Sequence, residues 1–276
     1  MSVIDYNSPL KLLLSVKGHP YQRDEFFDLF EAMPGVSYSA VEQPLTEHLL
    51  APSVVSEFDS VVFYDMPGLD FQSRPPRFVE PSAQYKANFM AMLEAGVGVV
   101  FLHHAIAAWP TWNEYSEIVG GRFLYRPGEV RNKPALDSGY QHAVTYQASV
   151  LAQHPVTAGV EPSFEITDEL YLCQIFEDSV TSLLRSDYRF DAGHFNSAYA
   201  AVADDAPEQW PHPDGSALVG WVKSYRNSPI VYLQMGDTPS AYSNSNYQAL
   251  LANAVRWVAS DDAKQWARRA CLRNDL

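Results

Sequence analysis

The chain has 276 residues, 47% hydrophobic and 13% aromatic, enough apolar side chain to build one large core and to exclude a disordered polymer. A formal net charge of -14 excludes a surface that tracks phosphate, which needs clustered Lys and Arg, so nucleic acid is not an expected partner. Only two cysteines occur, Cys173 and Cys271, far apart in the sequence, and the N-terminal MSVIDYNSPLKLLLSV carries an acid and a proline before a very short apolar patch. Both features point to a reducing, cytoplasmic setting, and no apolar run is long enough to span a membrane.

In chain order, KLLLSVK (11–17) predicts a buried strand ending at Gly18, and RDEFFDLFEAM puts Phe26, Phe27, Phe30 and Met33 on one helical face. VSYSAVE (36–42) alternates as a strand does, and DSVVFYDM (59–66) is a second buried strand bounded by Pro67 and Gly68. PSAQYKANFMAMLEAG predicts a helix with a proline and serine at its start and Gly96 as its stop. GVGVVFL, ending at Leu102, lacks polar alternation, as a central parallel strand covered on both faces should. A bend is expected after it, followed by a short helix carrying Trp112, Tyr115 and Val119. From about 120 to 225 the pattern changes to short extended pieces such as HAVTYQASV, FEITDELYLC and ALVGWVKSY, read as an irregular or antiparallel elaboration within a single domain spanning 1–276. PIVYLQMGD (229–237) returns to the buried-strand pattern. A closing helix then carries Tyr247, Leu250, Leu251, Ala254, Val255 and Val258 on one face.

Strands alternating with helices describe an open, mostly parallel α/β sheet, and such sheets bind ligands where the carboxyl ends of their strands meet loops. The polar residues that fall there are His19 and Arg23 after the first strand, Asp65, the pair His103 and His104, and Asp237 after Gly236. Adjacent residues of a continuing strand face opposite ways, so one of the two histidines is expected to pack into the core. FEITDELYLC sends Phe164, Ile166, Asp168, Leu170 and Leu172 to one face, interrupting an apolar row with a carboxylate. If that strand continues, Asp168 must meet a cation, a metal, a backbone donor or a proton. If it turns sharply at Asp168, both Asp168 and Glu169 lie in water; the alternation by itself fits either reading. No G-x-S-x-G elbow follows the central strand, the glycines are too few for a dinucleotide or phosphate loop, and no H-E-x-x-H occurs.

FLHHAIAAWPTWNEYSEIVGGRF, HPVTAGVEPSFEITDELYL and SPIVYLQMGDTPSAYSNSNYQALLANAVRWVA, in that order, closely resemble the ThuA-like, trehalose-utilisation family. The resemblance runs from about 11 to 260 and leaves a polar C-terminal tail, 261–276, outside it. It implies a flavodoxin-like fold of the class I glutamine amidotransferase type, and a place in carbohydrate catabolism beside sugar oxidoreductases. The amidotransferase relatives carry a cysteine at the strand-end elbow where this chain has Leu102-His103-His104, so glutaminase activity is not expected. Many relatives carry histidine after the glycine of the last-strand motif, where this chain has Asp237.

Two functions of different class follow. The first is a hydrolase, lyase or isomerase acting on a sugar or an oxidised keto-disaccharide or glycoside. In it His103, His104, Asp168 and Glu169 move protons, while Tyr171, Trp109, Trp112, Asp65 and Arg23 contact the sugar. His19, His103 and Asp237 would bind a divalent metal, zinc or manganese. The second is a non-catalytic carbohydrate-binding or partner subunit that kept the cleft and lost the chemistry. A sugar oxidoreductase partner and a homo-oligomer are expected in either case.

Overall fold

The computed structural model describes residues 8–274. Its frame is five parallel strands: β1 (Leu10–Lys17), β2 (Val36–Glu42), β3 (Ser60–Asp65), β4 (Gly98–Leu102) and, late in the chain, a strand spanning Ser228–Leu233. Four antiparallel strands extend it: β5 (Gly139–Val150), β6 (Ser163–Leu172), β7 (Thr181–Ser186) and β8 (Leu218–Tyr225). With Ser228–Leu233 as β9, the order across the sheet is β6-β5-β7-β8-β9-β4-β3-β1-β2, and a two-residue strand, Asn196–Ser197, adds to β5. The expected open α/β sheet is therefore present, and the middle third supplies its antiparallel half. This family of topologies follows from burial: β3, β4 and β9 are buried at every residue, so helices must cover both faces.

Alternate residues of the parallel strands feed two apolar layers. On one face Leu12, Leu14, Val62, Val100 and Val231 meet Phe26 and Phe30 of α1 (Arg23–Glu31) and Leu250, Leu251 and Val258 of a helix over Ser245–Ala259. On the other, Leu13, Val61, Phe63, Val99 and Phe101 meet Phe89, Met92 and Leu93 of α2 (Ala83–Ala95) and Tyr115 of α3 (Asn113–Val119). Full burial of each large side chain contributes about 1.5–3 kcal/mol, so these layers fix the strand order. Ser82 caps α2 by accepting from the Tyr85 amide, and Gly96 ends it at φ 83, as the sequence predicts. Asn244 caps the helix Ser245–Ala259, which we number α4. The polar segment after 260 forms a further helix, α5 (Asp261–Asn274), with Ala263 and Ala267 fully buried. Cys173 and Cys271 are both free thiols. Among the described residues no helix is long and apolar enough to cross a membrane.

Two devices bring side chains to the carboxyl ends of the parallel strands. Gly18, at φ +108, lets the turn after β1 press on the end of β3: a Cβ there would lie 2.4 Å from the Met66 carbonyl oxygen. That approach sets His19 at the rim. The second device is a β-bulge in β5, where the register with β6 shifts between Gln141 and Val144 and Ala143 takes φ 54. Gly18→Ala is expected to destabilise the fold by about 2–4 kcal/mol, combining left-handed strain with a backbone clash. A denaturant midpoint equal to that of the unmutated protein would show that the close approach is not required.

Candidate active site

β4 ends at Leu102, and the chain turns into a 3-10 helix, His103–Ala107, with His103 at φ 45. This left-handed residue at a strand end is where the expected bend occurs, and it separates the two imidazoles. His103 is fully buried. Its Nδ1–H donates to the Gln234 carbonyl oxygen at 2.6 Å, which leaves Nε2 to face Glu169 Oε2 at 3.0 Å, the Tyr171 hydroxyl at 2.7 Å and Asp237 Oδ1 at 3.4 Å. Protonated, Nε2 donates to Glu169; unprotonated, it accepts from Tyr171.

The charges in this cluster support one another. Burial opposes a charge on His103 more than any other single influence, yet the hydrogen bonds and charges of Asp237 and Glu169 together outweigh it and raise the imidazole well above its usual range. Burial likewise pushes Glu169 and Asp237 upward, and in each the hydrogen bond and charge of His103 prevail, so both carboxyls sit below their ordinary values. The cluster is an imidazolium flanked by two carboxylates. Tyr171 is held well above the usual phenol value by burial and then by Glu169, which keeps its hydroxyl protonated as a donor.

Glu169 and Tyr171 also line a cavity of about 240 Å³, together with His19, His142 and a set of aromatic and aliphatic side chains. His142 Nδ1 lies 2.8 Å from Glu169 Oε1, so the carboxylate is gripped on one oxygen by the buried His103 and on the other by the exposed His142. Under strict alternation His142 would share the face of Val144 and Tyr146, which pack in the opposite apolar layer. The bulge at Ala143 moves it to the face of Glu169. A larger groove of about 540 Å³ between α1 and α4 carries Glu25, Asp28 and Arg256 but no imidazole.

His19 donates Nδ1–H to the Pro20 carbonyl at 2.8 Å, leaving Nε2 with a lone pair. Burial first, then the charge of His103, lowers its pKa, so it stands neutral near pH 7. Its ligand atom and one oxygen each of Glu169 and Asp237 lie within 4.8 Å of one another. One imidazole nitrogen and two carboxylate oxygens are a donor set suited to zinc or manganese. His103, expected as a third ligand with His19 and Asp237, stands behind this set, and Glu169 takes its place.

The structure brings together His19, His103, Glu169, Tyr171 and Asp237, of which His19, Glu169 and Tyr171 line the cavity, and none of the other expected site residues lines it. Asp168 is fully buried on the far face of β6, where its carboxylate accepts from the amides of Gly236 at 2.6 Å and Asp237 at 3.2 Å and from the Thr238 hydroxyl at 3.3 Å. The strand thus continues through Asp168, the backbone donor being the partner that burial demands, and the acid anchors the loop bearing Asp237. Burial pushes it up to about 6. His104 packs between the rings of His19, at 4.7 Å, and Tyr64, at 4.3 Å, with burial holding it well below its usual value and Nδ1 without a hydrogen-bond partner among the described residues. Trp112 is buried against Phe89 and Tyr115, and Trp109 packs tilted against Tyr85 with ring centres 4.9 Å apart. Arg23 points to solvent, paired with Glu42 and lying over Phe27. Asp65 is buried under Ser15 and Gln43, which donate to its Oδ2 at 2.5 and 2.7 Å.

Several lining residues escape the sequence reading. His142 depends on a bulge without a glycine to announce it, and Phe71, Phe123, Tyr125 and Tyr140 come from the irregular segments where periodicity is weakest. Only the aromatic richness of those segments hints at a wall.

The family model described as ThuA, trehalose utilisation, matches residues 20–258. No curated protein matches the sequence. A ThuA-like protein from Parabacteroides merdae is similar in fold, with a TM-score of 0.64 at 16% identity over 91% of this chain and 90% of the other. One from Bacteroides uniformis gives 0.62 at 17% identity over 95% and 96%. A glutamine amidotransferase from Thermotoga maritima gives 0.50 at 11% identity over 91% and 99%. These likenesses bear out the flavodoxin-like, amidotransferase-type fold.

Burial raises Asp65 from 3.8 to about 6, against the hydrogen bonds of Ser15 and Gln43. Between those values the folded protein binds more protons than the unfolded chain, so the stability Asp65 contributes falls as pH rises through that window and is gone above it. Asp65→Asn keeps an oxygen for both donors and carries no charge. It is expected to stabilise the protein by up to about 3 kcal/mol near pH 8 and by little near pH 4, read by urea unfolding at the two pH values. The same change at both would refute the buried charge.

Proposed function

The chain belongs to the ThuA, trehalose-utilisation family, and we propose that it is an enzyme of carbohydrate catabolism acting on a sugar or oxidised keto-glycoside by proton transfer. The observation that carries this reading is the Glu169 carboxylate, set at the cavity surface between a buried imidazolium, an exposed imidazole and a phenol. Held ionised, Glu169 acts as a general base. On a sugar with a ketone two carbons from the glycosidic carbon, it takes the proton from the carbon between them. The released electron pair forms a carbon–carbon double bond as the glycosidic C–O bond breaks, and the departing oxygen takes a proton from His142 in its imidazolium form, which is left as the neutral imidazole. His103 does not reach the cavity; it is a positioning residue that fixes the direction and ionisation of Glu169. Tyr171 presents its hydroxyl beside the same carboxylate.

His19, Glu169 and Asp237 would hold a divalent zinc or manganese ion. Bound there, such an ion supplies Lewis-acid polarisation of the ketone oxygen. It would compete with the His103 proton for both carboxylates, so ion binding should strengthen as pH rises. Upstream, a sugar oxidoreductase would supply the ketone.

A second reading, a sugar-binding subunit without chemistry, is favoured by the left-handed elbow residue being a fully buried histidine in place of a nucleophile. It predicts tight binding of keto-glycosides with no product.

Glu169→Gln is expected to lower kcat on keto-glycosides by about 10²–10⁴ with a smaller change in KM, the range for a removed general base. Turnover equal to that of the unmutated enzyme removes the proposal. Elemental analysis after exposure to zinc or manganese should give a stoichiometric ion that chelator removes and Asp237→Asn fails to retain. Protein that takes up neither ion in calorimetry has no such site.

A further inference from the structure

Most of the cavity surface cannot serve a sugar's hydroxyls. Of its hydroxyl-bearing walls, Tyr171 already meets His103, and the Tyr125 hydroxyl is engaged by Met66 Sδ at 3.0 Å and the Ala107 carbonyl at 3.3 Å. The polar groups left for a ligand among the described lining residues are His19, His142, Glu169 and the Tyr140 phenol. Against these stand the apolar lining residues Met66, Phe71, Ala107, Phe123, Ala201 and Val202. Phe123 lies 5.2 Å from both the Tyr125 and Tyr171 rings, which line the same cavity as Glu169.

Its outer part comes from two separate segments. Phe71 belongs to the hairpin in which Leu69–Asp70 pairs with Arg77–Phe78, and Ala201 and Val202 to the short helix Ala198–Val202. Arg74 joins the two, its Nε donating to Asp204 at 2.7 Å and one NH2 group to the Ala201 carbonyl at 3.0 Å. The volume of about 240 Å³ falls below the roughly 300 Å³ at which sites for drug-sized ligands begin. A second sugar ring pressed on this lining would leave its hydroxyls desolvated without partners, each at a cost.

We propose that the substrate is a monosaccharide glycoside whose aglycone is a small apolar group, aryl or short alkyl, and not a second sugar. The inference rests on the enzymatic reading above: the sugar faces Glu169, His142 and His19, and the aglycone lies on Phe123, Met66, Phe71 and Val202.

The test separates the two. Calorimetry on the intact protein compares phenyl glucosides with glucosyl glucosides of both anomers, in hydroxyl and keto forms, and turnover of the keto forms is measured in parallel. The phenyl compounds are expected to bind roughly tenfold or more tightly, the order set by burying an aromatic face. Phe71→Ser and Val202→Asn, both at positions that are not fully buried, should each shrink that ratio several-fold while the thermal midpoint is retained. Equal or tighter binding of the glucosyl compounds overturns the aglycone proposal, even if those compounds turn over and the enzymatic reading stands. Phenyl preference without turnover supports the cavity assignment and removes the enzymatic one.

Discussion

The site depends on one restraint: the His103 Nδ1–H is committed to the Gln234 carbonyl, so its other nitrogen has a single direction to face. That bond ties the end of β4 to the end of β9, neighbouring parallel strands, and aims Nε2 at the only acid that β6 turns toward it. Without the carbonyl the imidazole could rotate, and the two carboxylates would lose the buried cation that keeps them ionised. Gln234 acts twice, since its side-chain oxygen also accepts from the Tyr171 amide and docks β6 over the parallel strands.

Consecutive residues of β6 divide the work. Asp168 and Glu169 are both buried carboxylates, but alternation sends one to each face. Asp168 spends its charge on backbone amides and holds the Gly236–Asp237 turn in place; Glu169 meets imidazoles and reaches the cavity. The first residue therefore sets the position of Asp237 and the second uses it, so substitutions at the two should differ in kind, the one loosening a loop and the other removing chemistry.

The fold is similar to that of amidotransferase-type proteins, and a histidine stands at the end of its central strand. A left-handed residue at the end of the central strand survives in His103, but its side chain turns inward and cannot attack a ligand. The carboxylate at the cavity, Glu169, is delivered by the antiparallel half of the sheet, which the parallel core alone would not contain. The insertion between α3 and β8 is thus part of the site and not an ornament upon it.

The sequence alone determined the parallel strands, their covering helices and the rim positions of His19, His103 and Asp237, because uninterrupted apolar runs, capping residues and strand ends are local signals. For Asp168 it left a buried place in an apolar row and a turn into water equally open, and the structure decided for burial, with the backbone donors that burial requires. What only the tertiary structure decided was which rim residues meet. Asp65, Trp109, Trp112 and Arg23 occupy rim-like places in the chain yet face packing partners or solvent, since orientation at a strand end depends on the neighbouring element. His142 enters the site through a one-residue bulge that reverses its face, and Glu169 through the return of a distant edge strand over the sheet. Both are long-range matters of register and approach, and a sequence records the residues that meet there without recording the meeting.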